Sequence, residues 1–397
     1  MSSFRSAYPL VTLVFRRFSR RFFAMEAVPD SHPKRDAGIA LERLSSLTRA
    51  VHSAPDIRPD TRALMAKLLT VALSYETQHR DSIRLVPTEG IQSPAALTLM
   101  ATVMNGRYLH APAENNAKAI RYPDIAQLQE VHAICCAALR RVLNAEHVNV
   151  DCLSGLHVMQ MALLAFAAPG ELVLSISPDD GGHELMSKMA KALGRQVAYL
   201  PFDRERHVID AAHLDRSKKP ALVYVDHSNV LRPHDLRAIK ASYPDSVVLF
   251  DISQVFASVA GGIFPNPLES GADAVVGSTH KSLNGPQKAV FAANRRDLAD
   301  RFAETAGVFI SNNHPGDVAA LAMTLLEFLA FGPEYAHQMV ANANALADAF
   351  LAEGLPLYDQ RTDKTGPYTL SPHVWLDCEK CGWRAEQAAQ HLFQHTG

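Results

Sequence analysis

Cysteine is scarce in this chain and unevenly placed: Cys135, Cys136, Cys152, Cys378 and Cys381 are all that 397 residues contain. So few thiols without regular spacing exclude a disulfide scaffold and fit a reducing compartment, so a cytoplasmic protein is expected. Cys378-Glu379-Lys380-Cys381 has the spacing of half a zinc site, but no second pair exists to complete four ligands. No metal is therefore expected. Net charge is low as well. Lysine and arginine number 39 against 41 acids, a formal charge of -2, and no basic stripe is interleaved with aromatics, which argues against a nucleic-acid partner. No apolar run approaches the length of a membrane span, so no membrane partner is expected. Internal repeats and low-complexity tracts are also absent.

What is there is a 48% hydrophobic, 20% charged chain, long enough to bury a large core and too long for one ordinary domain. Residues 1–24 are basic, aromatic and free of acids, with Arg16-Arg17 and Arg20-Arg21 among four phenylalanines. They are expected to lie upstream of a start at Met25; an organellar transit peptide and a membrane-surface helix are the alternatives. Residues 25–90 are read as a helical arm, with apolar positions at helical spacing between 34 and 80. Residues 91–330 are read as a large domain and 331–397 as a small C-terminal α/β domain that looks truncated.

From about 125 to 293 helices alternate with short apolar runs. Val148-Asn149-Val150, Leu172 to Ile176, Val197 to Leu200, Leu222 to Val225, Val247 to Phe250, Asp273 to Val276 and Lys288 to Ala293 read as strands. Continuous apolar strands joined by helices predict an α/β fold with a mostly parallel sheet covered on both faces. After Arg295 the chain turns helical over 318–331 and 335–355. A short β segment, His373 to Leu376, then precedes a helix near 385–394.

In such sheets, sites lie beyond the carboxyl ends of the strands. Lys281 stands there, in Gly277-Ser278-Thr279-His280-Lys281-Ser282-Leu283-Asn284-Gly285-Pro286, between two core strands. A surface lysine in a hairpin is one reading. The other is a carbonyl-attacking amine held on the floor of a pocket and partly desolvated. Ser154-Gly155-Leu156 opens an apolar helix, as a plain N-cap or as an anion cradle of free amides at the positive dipole end. Asp251 ends a strand after four apolar residues, where a carboxylate is costly unless a buried cation meets it. His183 follows another strand end, as a surface histidine or as a ring that stacks on a ligand. Glu89 lies just before a helix, as a dipole-favoured carboxylate or as a general acid or base. Phosphate loop, histidine, aspartate and lysine, in that order and each at a strand end, are more specific together than any one of them, and they fit a pyridoxal phosphate site.

On these residues the chain resembles the serine hydroxymethyltransferase family, a branch of the fold type I pyridoxal phosphate enzymes, from about residue 84 to its end. Thr279 to Pro286 is similar to the family's lysine motif, and Leu85-Val86-Pro87-Thr88-Glu89-Gly90-Ile91-Gln92-Ser93-Pro94 to the segment whose glutamate transfers protons. Asn105-Gly106-Arg107-Tyr108 resembles the segment with an active-site tyrosine, Gly181-Gly182-His183 the ring-stacking histidine, Ser228 the serine near the ring oxygen, and Phe250-Asp251 the aspartate on the pyridine nitrogen. The resemblance implies catalytic roles for Lys281, Glu89, His183, Asp251 and Tyr108. It implies cofactor contacts from Ser154, Gly155, Leu156, His183, Ser228, Asp251, His280 and Lys281, a seven-stranded-type sheet, and a homodimer, because sites in this fold are built from both subunits.

Two departures narrow the reading. Gln254 stands where the family usually has histidine, and Gly285-Pro286-Gln287-Lys288-Ala289 replaces Gly-Pro-Arg-Gly-Gly, which is expected to alter the wall beside the cofactor. Asp180 to His183, Leu231-Arg232, Ser311-Asn312-Asn313-His314 and Gly285 to Lys288 are closer to the threonine transaldolases. These cleave a β-hydroxy-α-amino acid and pass the glycine carbanion to an aldehyde. That activity is the expectation. Hydroxymethyl transfer with tetrahydrofolate and a degenerate, non-catalytic family member acting as a structural or regulatory partner are the alternatives, the latter because the chain ends before the family's late carboxylate-binding arginine and because of Gln254.

Overall fold

A computed structural model describes residues 34–53, 57–80, 85–109, 125–358 and 366–396. The basic stretch 1–24 and the start expected at Met25 lie outside the described residues. Two compact units are distinguished. One comprises the described parts of Met1–Val86 and Cys378–Gly397, the other Pro87–Asp377. In the first, the helical pattern expected over 34–80 is two helices packed on each other, α1 (Lys34–Ser53) and α2 (Pro59–Arg80). Pro59 opens the second, at the position where a missing N–H costs nothing.

The second unit carries α3 (Pro94–Met100), α4 (Ala126–Leu143), α5 (Gly155–Phe166), α6 (Glu184–Ala192), α7 (Leu236–Ser242), α8 (Phe256–Ala260), α9 (Arg296–Phe309) and α10 (Pro315–Ala352). Its strands are β1 (His147–Asn149), β2 (Leu172–Ser175), β3 (Gln196–Tyr199), β4 (Phe202–Asp203), β5 (Val208–Ile209), β6 (Leu222–Val225), β7 (Val247–Asp251), β8 (Ala274–Ser278) and β9 (Ala289–Ala293). Helix α11 (Ala385–Thr396) belongs to the first unit. Among the described residues a seven-stranded sheet runs β1-β9-β8-β7-β6-β2-β3. The pairs from β3 through β8 are parallel, whereas β9 is antiparallel to both β8 and β1. The expected mostly parallel sheet is thus present.

Its strands read as unbroken apolar runs because both faces are covered. Val223, Val225, Phe250, Val275 and Val290 join one buried cluster with Leu139, Phe256 and Leu321; Leu222, Tyr224, Leu249, Val276 and Phe291 join a second with Val158, Leu163, Leu298 and Phe302. Successive residues of one strand go to opposite clusters, as the period of two demands. Phe291 and Phe302 stack at 4.1 Å between ring centroids, so α9 is keyed to β9. Each fully buried side chain of this size contributes roughly 1.5–3 kcal/mol.

Two expectations are corrected. The helices expected over 318–331 and 335–355 are one, α10, with Pro333 inside it. An internal proline costs about 3 kcal/mol in lost bonding and clash. Here buried residues on both sides of it, Leu321, Leu325 and Phe328 before and Ala336, Val340 and Ala343 after, hold the helix continuous. Joined in this way, α10 is long and apolar enough by composition to cross a membrane, although no uninterrupted run in the sequence is; 61% of its most apolar window is buried within the protein. His373–Leu376 is not a strand. It contributes one isolated bridge, Leu357 to Leu376, flanked by the Tyr358 N–H donating to the Trp375 carbonyl at 3.0 Å. The β4–β5 hairpin, by contrast, has strands of two residues each, too short to show a period in sequence.

Candidate active site

A cavity of about 250 Å3 opens at the carboxyl ends of the parallel strands. Ser154, Gly155, Leu156, His183, Ser228, Asp251, His280 and Lys281 all line it, so residues from five separate connections converge. Asp226, His227, Ser253, Gln254, Ser278 and Met159 complete the wall. Glu89 and Tyr108 are not among the lining residues. Both are exposed, Tyr108 by 42%. The Glu89 segment nevertheless abuts the lysine loop, because a Cβ built on Gly90 would come within 2.4 Å of the Lys281 carbonyl oxygen.

The lysine loop is fixed at both ends. Ser278 pairs with Ala289 at the last rung of β8–β9, and the Thr279 N–H donates to the Lys288 carbonyl at 3.0 Å. Inside the loop the Gly285 N–H donates to the Thr279 carbonyl at 2.8 Å, and Asn284 adopts a left-handed φ of 60°. Small residues and an asparagine suit so tight a turn. Burial lowers the pKa of Lys281, against the pull of Asp251. The amine is therefore easier to deprotonate than an exposed one, as a nucleophile requires.

Asp251 accepts the Ser253 N–H on Oδ1 at 2.9 Å and the Tyr224 hydroxyl on Oδ2 at 3.2 Å. Two donors orient the carboxylate at the end of β7. His183 caps α6, its Nδ1 accepting the Leu185 N–H at 3.2 Å, which leaves the ring's proton on Nε2. Burial and the Lys281 charge lower its pKa, opposed by Asp251, so the ring is neutral at pH 7 and suited to stacking. Ser154 caps α5 through Oγ, which accepts the His157 N–H at 3.2 Å. The helix thus presents its first amides at the cavity. Gly155 lies where a Cβ would come 3.2 Å from that of Ser278.

These residues fit pyridoxal phosphate. The α5 terminus suits a phosphate, Asp251 a protonated pyridine nitrogen, and Lys281 the aldehyde carbon. Ser278 Oγ, Gln254 Oε1 and His280 Nδ1 are buried without a hydrogen-bond partner, as polar atoms in a wall built for a ligand would be. No His, Cys, Asp and Glu cluster among the described residues has the makings of a metal site.

One contributor escaped sequence reasoning, and a second, Asp226, stood out there only as one of the polar residues at strand ends. Tyr224 interrupts an otherwise aliphatic strand, and that hydroxyl was the available signal. Asp226 is buried with its Oδ1 accepting Ser175 Oγ at 2.6 Å, and burial holds its pKa well above the usual carboxylate value. Its place at a strand end was visible in the sequence, but its buried serine partner was not.

The family model of serine hydroxymethyltransferase matches residues 66–365. Among similar curated proteins, the serine hydroxymethyltransferase of Methanopyrus kandleri is 34% identical over 77% of this chain and 73% of its own length. The fluorothreonine transaldolase of Streptantibioticus cattleyicolor is 32% identical over 74% of this chain, which spans 48% of that longer protein. An L-threonine:uridine-5'-aldehyde transaldolase of Amycolatopsis is 30% identical over 85% of this chain and 82% of its own length. The crystal structure of an L-threonine transaldolase from Pseudomonas fluorescens superposes with a TM-score of 0.73 at 26% identity, covering 79% of this chain and 73% of that one. With its sheet order, its lysine loop and these relatives, the chain belongs to the serine hydroxymethyltransferase family of fold type I pyridoxal phosphate-dependent transferases.

Proposed function

We propose that this protein is a threonine transaldolase-like enzyme, which cleaves a β-hydroxy-α-amino acid such as L-threonine and transfers its glycine portion to an aldehyde. The observation that carries the reading is the convergence of Lys281, Asp251, His183 and the α5 amides on one cavity. When bound, pyridoxal phosphate supplies a carbonyl for the amino group and an electron-withdrawing ring that stores the charge left as Cα–Cβ breaks. Lys281 would hold the cofactor through its side-chain amine. Asp251, oriented by Tyr224 and Ser253, would hold a proton on the ring nitrogen. The Ser154–Leu156 amides would hold the phosphate, His183 would cover the ring, and Ser228 and His280 would complete its surroundings. Glu89 moves the substrate's hydroxyl proton as the first aldehyde leaves and returns one as the new carbon–carbon bond closes.

The relatives named as transaldolases support the choice, as do Gln254 and Lys288, where hydroxymethyltransferases usually carry histidine and glycine. A homodimer in the cytoplasm is part of the same proposal: Glu89 and Tyr108 stand outside the cavity of a single copy, and the five cysteines are free. The test is incubation with L-threonine and an aromatic aldehyde, without folate. Acetaldehyde and a new β-hydroxy amino acid are expected. The second reading, hydroxymethyl transfer, is favoured by the Methanopyrus relative. Serine cleavage strictly dependent on tetrahydrofolate, with no exchange from threonine, would establish it instead.

A further inference from the structure

Two of the stretches that depart from the hydroxymethyltransferase pattern, Gly285–Lys288 and Ser311–His314, touch each other. Lys288 is not in the cavity wall, where the sequence led it to be expected; it has no exposed surface at all. Its Nζ donates to the Asn313 carbonyl oxygen at 2.9 Å. A fully buried amine must be compensated. Asp151 supplies the opposite charge, linked through Asn313, whose Nδ2 donates to Asp151 Oδ1 at 2.9 Å. His132 Nε2 meets the same oxygen at 3.0 Å, and Asn149 Nδ2 donates to Oδ2 at 3.0 Å. Burial lowers the pKa of the Lys288 amine, while Asp151, Cys152, Cys135 and Asp317 act against that shift.

From Asn313 the bonding runs outward. The Asn313 N–H donates to the Leu109 carbonyl at 3.2 Å. The Leu109 N–H donates to Asn312 Oδ1 at 3.2 Å, and Asn312 Nδ2 donates to the Arg107 carbonyl at 3.2 Å. These three bonds bracket Tyr108 on both sides. At the other end, the Lys288 main chain is bound to Thr279, two residues before Lys281: the Lys288 N–H donates to Thr279 Oγ1 at 3.3 Å, and the Thr279 N–H to the Lys288 carbonyl at 3.0 Å.

We propose that Lys288 is a positioning residue, a buried brace that ties the loop of Lys281 to the segment bearing Tyr108 and sets the tyrosine's place relative to the lysine. The usual glycine of the hydroxymethyltransferases has no side chain to make this link. A charge-assisted bond in a dry site cannot be exchanged for water, so the Asn313 carbonyl it holds is held stiffly. The inference rests on the reading of Tyr108 as a site residue.

The experiment is amide hydrogen exchange of the full chain, followed in peptides covering Leu109 and Asn313, with steady-state kinetics alongside. Lys288→Met keeps the length and removes the charge, and Asp151 retains three donors. In this variant exchange speeds up at both sites while peptides from β7 and β8 are unchanged, and KM for the amino acid rises about ten-fold with kcat changed less than three-fold. Should Lys288→Met fail to fold, Asn312→Ala carries the test, with faster exchange at Leu109 and the same rise in KM. Unchanged exchange at Leu109 in a folded variant overturns the brace. Tyr108→Phe separates this from the underlying reading. If it leaves the kinetics intact while exchange at Leu109 still responds to Lys288→Met, the brace stands and the role of Tyr108 falls; if it impairs the kinetics while that exchange does not respond, the reverse holds.

Discussion

Gly90 and Lys281 meet backbone to backbone. A Cβ on Gly90 would lie 2.4 Å from the Lys281 carbonyl oxygen and 2.7 Å from that of His280, closer than atoms approach, and the Lys281 carbonyl is held in place by the Asn284 N–H at 3.0 Å. Gly90→Ala therefore displaces the lysine loop. Overpacking of this kind costs about 1–3 kcal/mol. The expected outcome is a lower urea midpoint together with weaker cofactor retention on dialysis. Gly307→Ala is the control. It lies inside α9 with open space around it, and a stabilisation of about 0.5–1 kcal/mol is expected there.

Lys281→Ala leaves a folded protein that no longer holds the cofactor covalently. Removing an amine whose burial disfavours its charge does not destabilise the loop, so the unfolding midpoint of the cofactor-free variant stays at or above that of the cofactor-free parent. Borohydride treatment followed by peptide mass analysis checks the attachment. A cofactor adduct on any peptide of the variant would contradict the assignment.

Asp251→Asn preserves an acceptor for Ser253 but loses the charge proposed to keep the ring nitrogen protonated. Cofactor affinity changes little, while kcat falls on the order of 10²–10³-fold, the scale of losing one preorganised electrostatic contact. Fluorescence titration and initial rates separate the two effects. Equal losses in both would make Asp251 an anchor only.

Stability falls on the acid side. His234 is fully buried, its Nδ1 accepting the Ile209 N–H at 3.1 Å, and burial pushes its pKa down to about 3. His373 is pushed to about 4 by burial and then by the Lys281 charge. In the unfolded chain both bind protons near 6.5, so below that pH the unfolded state takes up more protons and the folded state loses ground. Stability is complete above pH 6.5 and declines as pH falls through 5 toward 4 and 3. At pH 5 each histidine costs about 2 kcal/mol. Urea unfolding at pH 7 and pH 5 measures the drop, and His373→Gln reduces it.

The sheet and the site were legible in the sequence to the extent that one chemical requirement wrote both. Strands covered on two faces must be apolar throughout, so Leu222–Val225 and Val247–Phe250 announced themselves, and polar residues just beyond such runs stood out as Asp251 and Lys281 did. Where several requirements compete, the sequence was silent or misleading. Pro333 predicts an end that the packing of α10 overrides, and His373–Leu376 has strand composition but only a single bridge partner. Tyr224 reaches Asp251 through the neighbouring strand's register, and Lys288 reaches Asn313 across 25 positions. A contact between distant segments leaves no local pattern to read.

The reversal of β9 bears on how the molecule assembles. Because β9 runs back along β8, their pairing closes only the short stretch from Thr279 to Lys288, whereas β7 and β8 are joined by a crossover from Asp251 to Ala274. Loop-closure entropy grows with separation and slows distant pairings. The turn bearing Lys281 is thus closed by its nearest neighbours in the chain, whereas the placement of Asp251 beside it depends on the longer crossover, so contact order favours the lysine turn forming before the aspartate is brought to it.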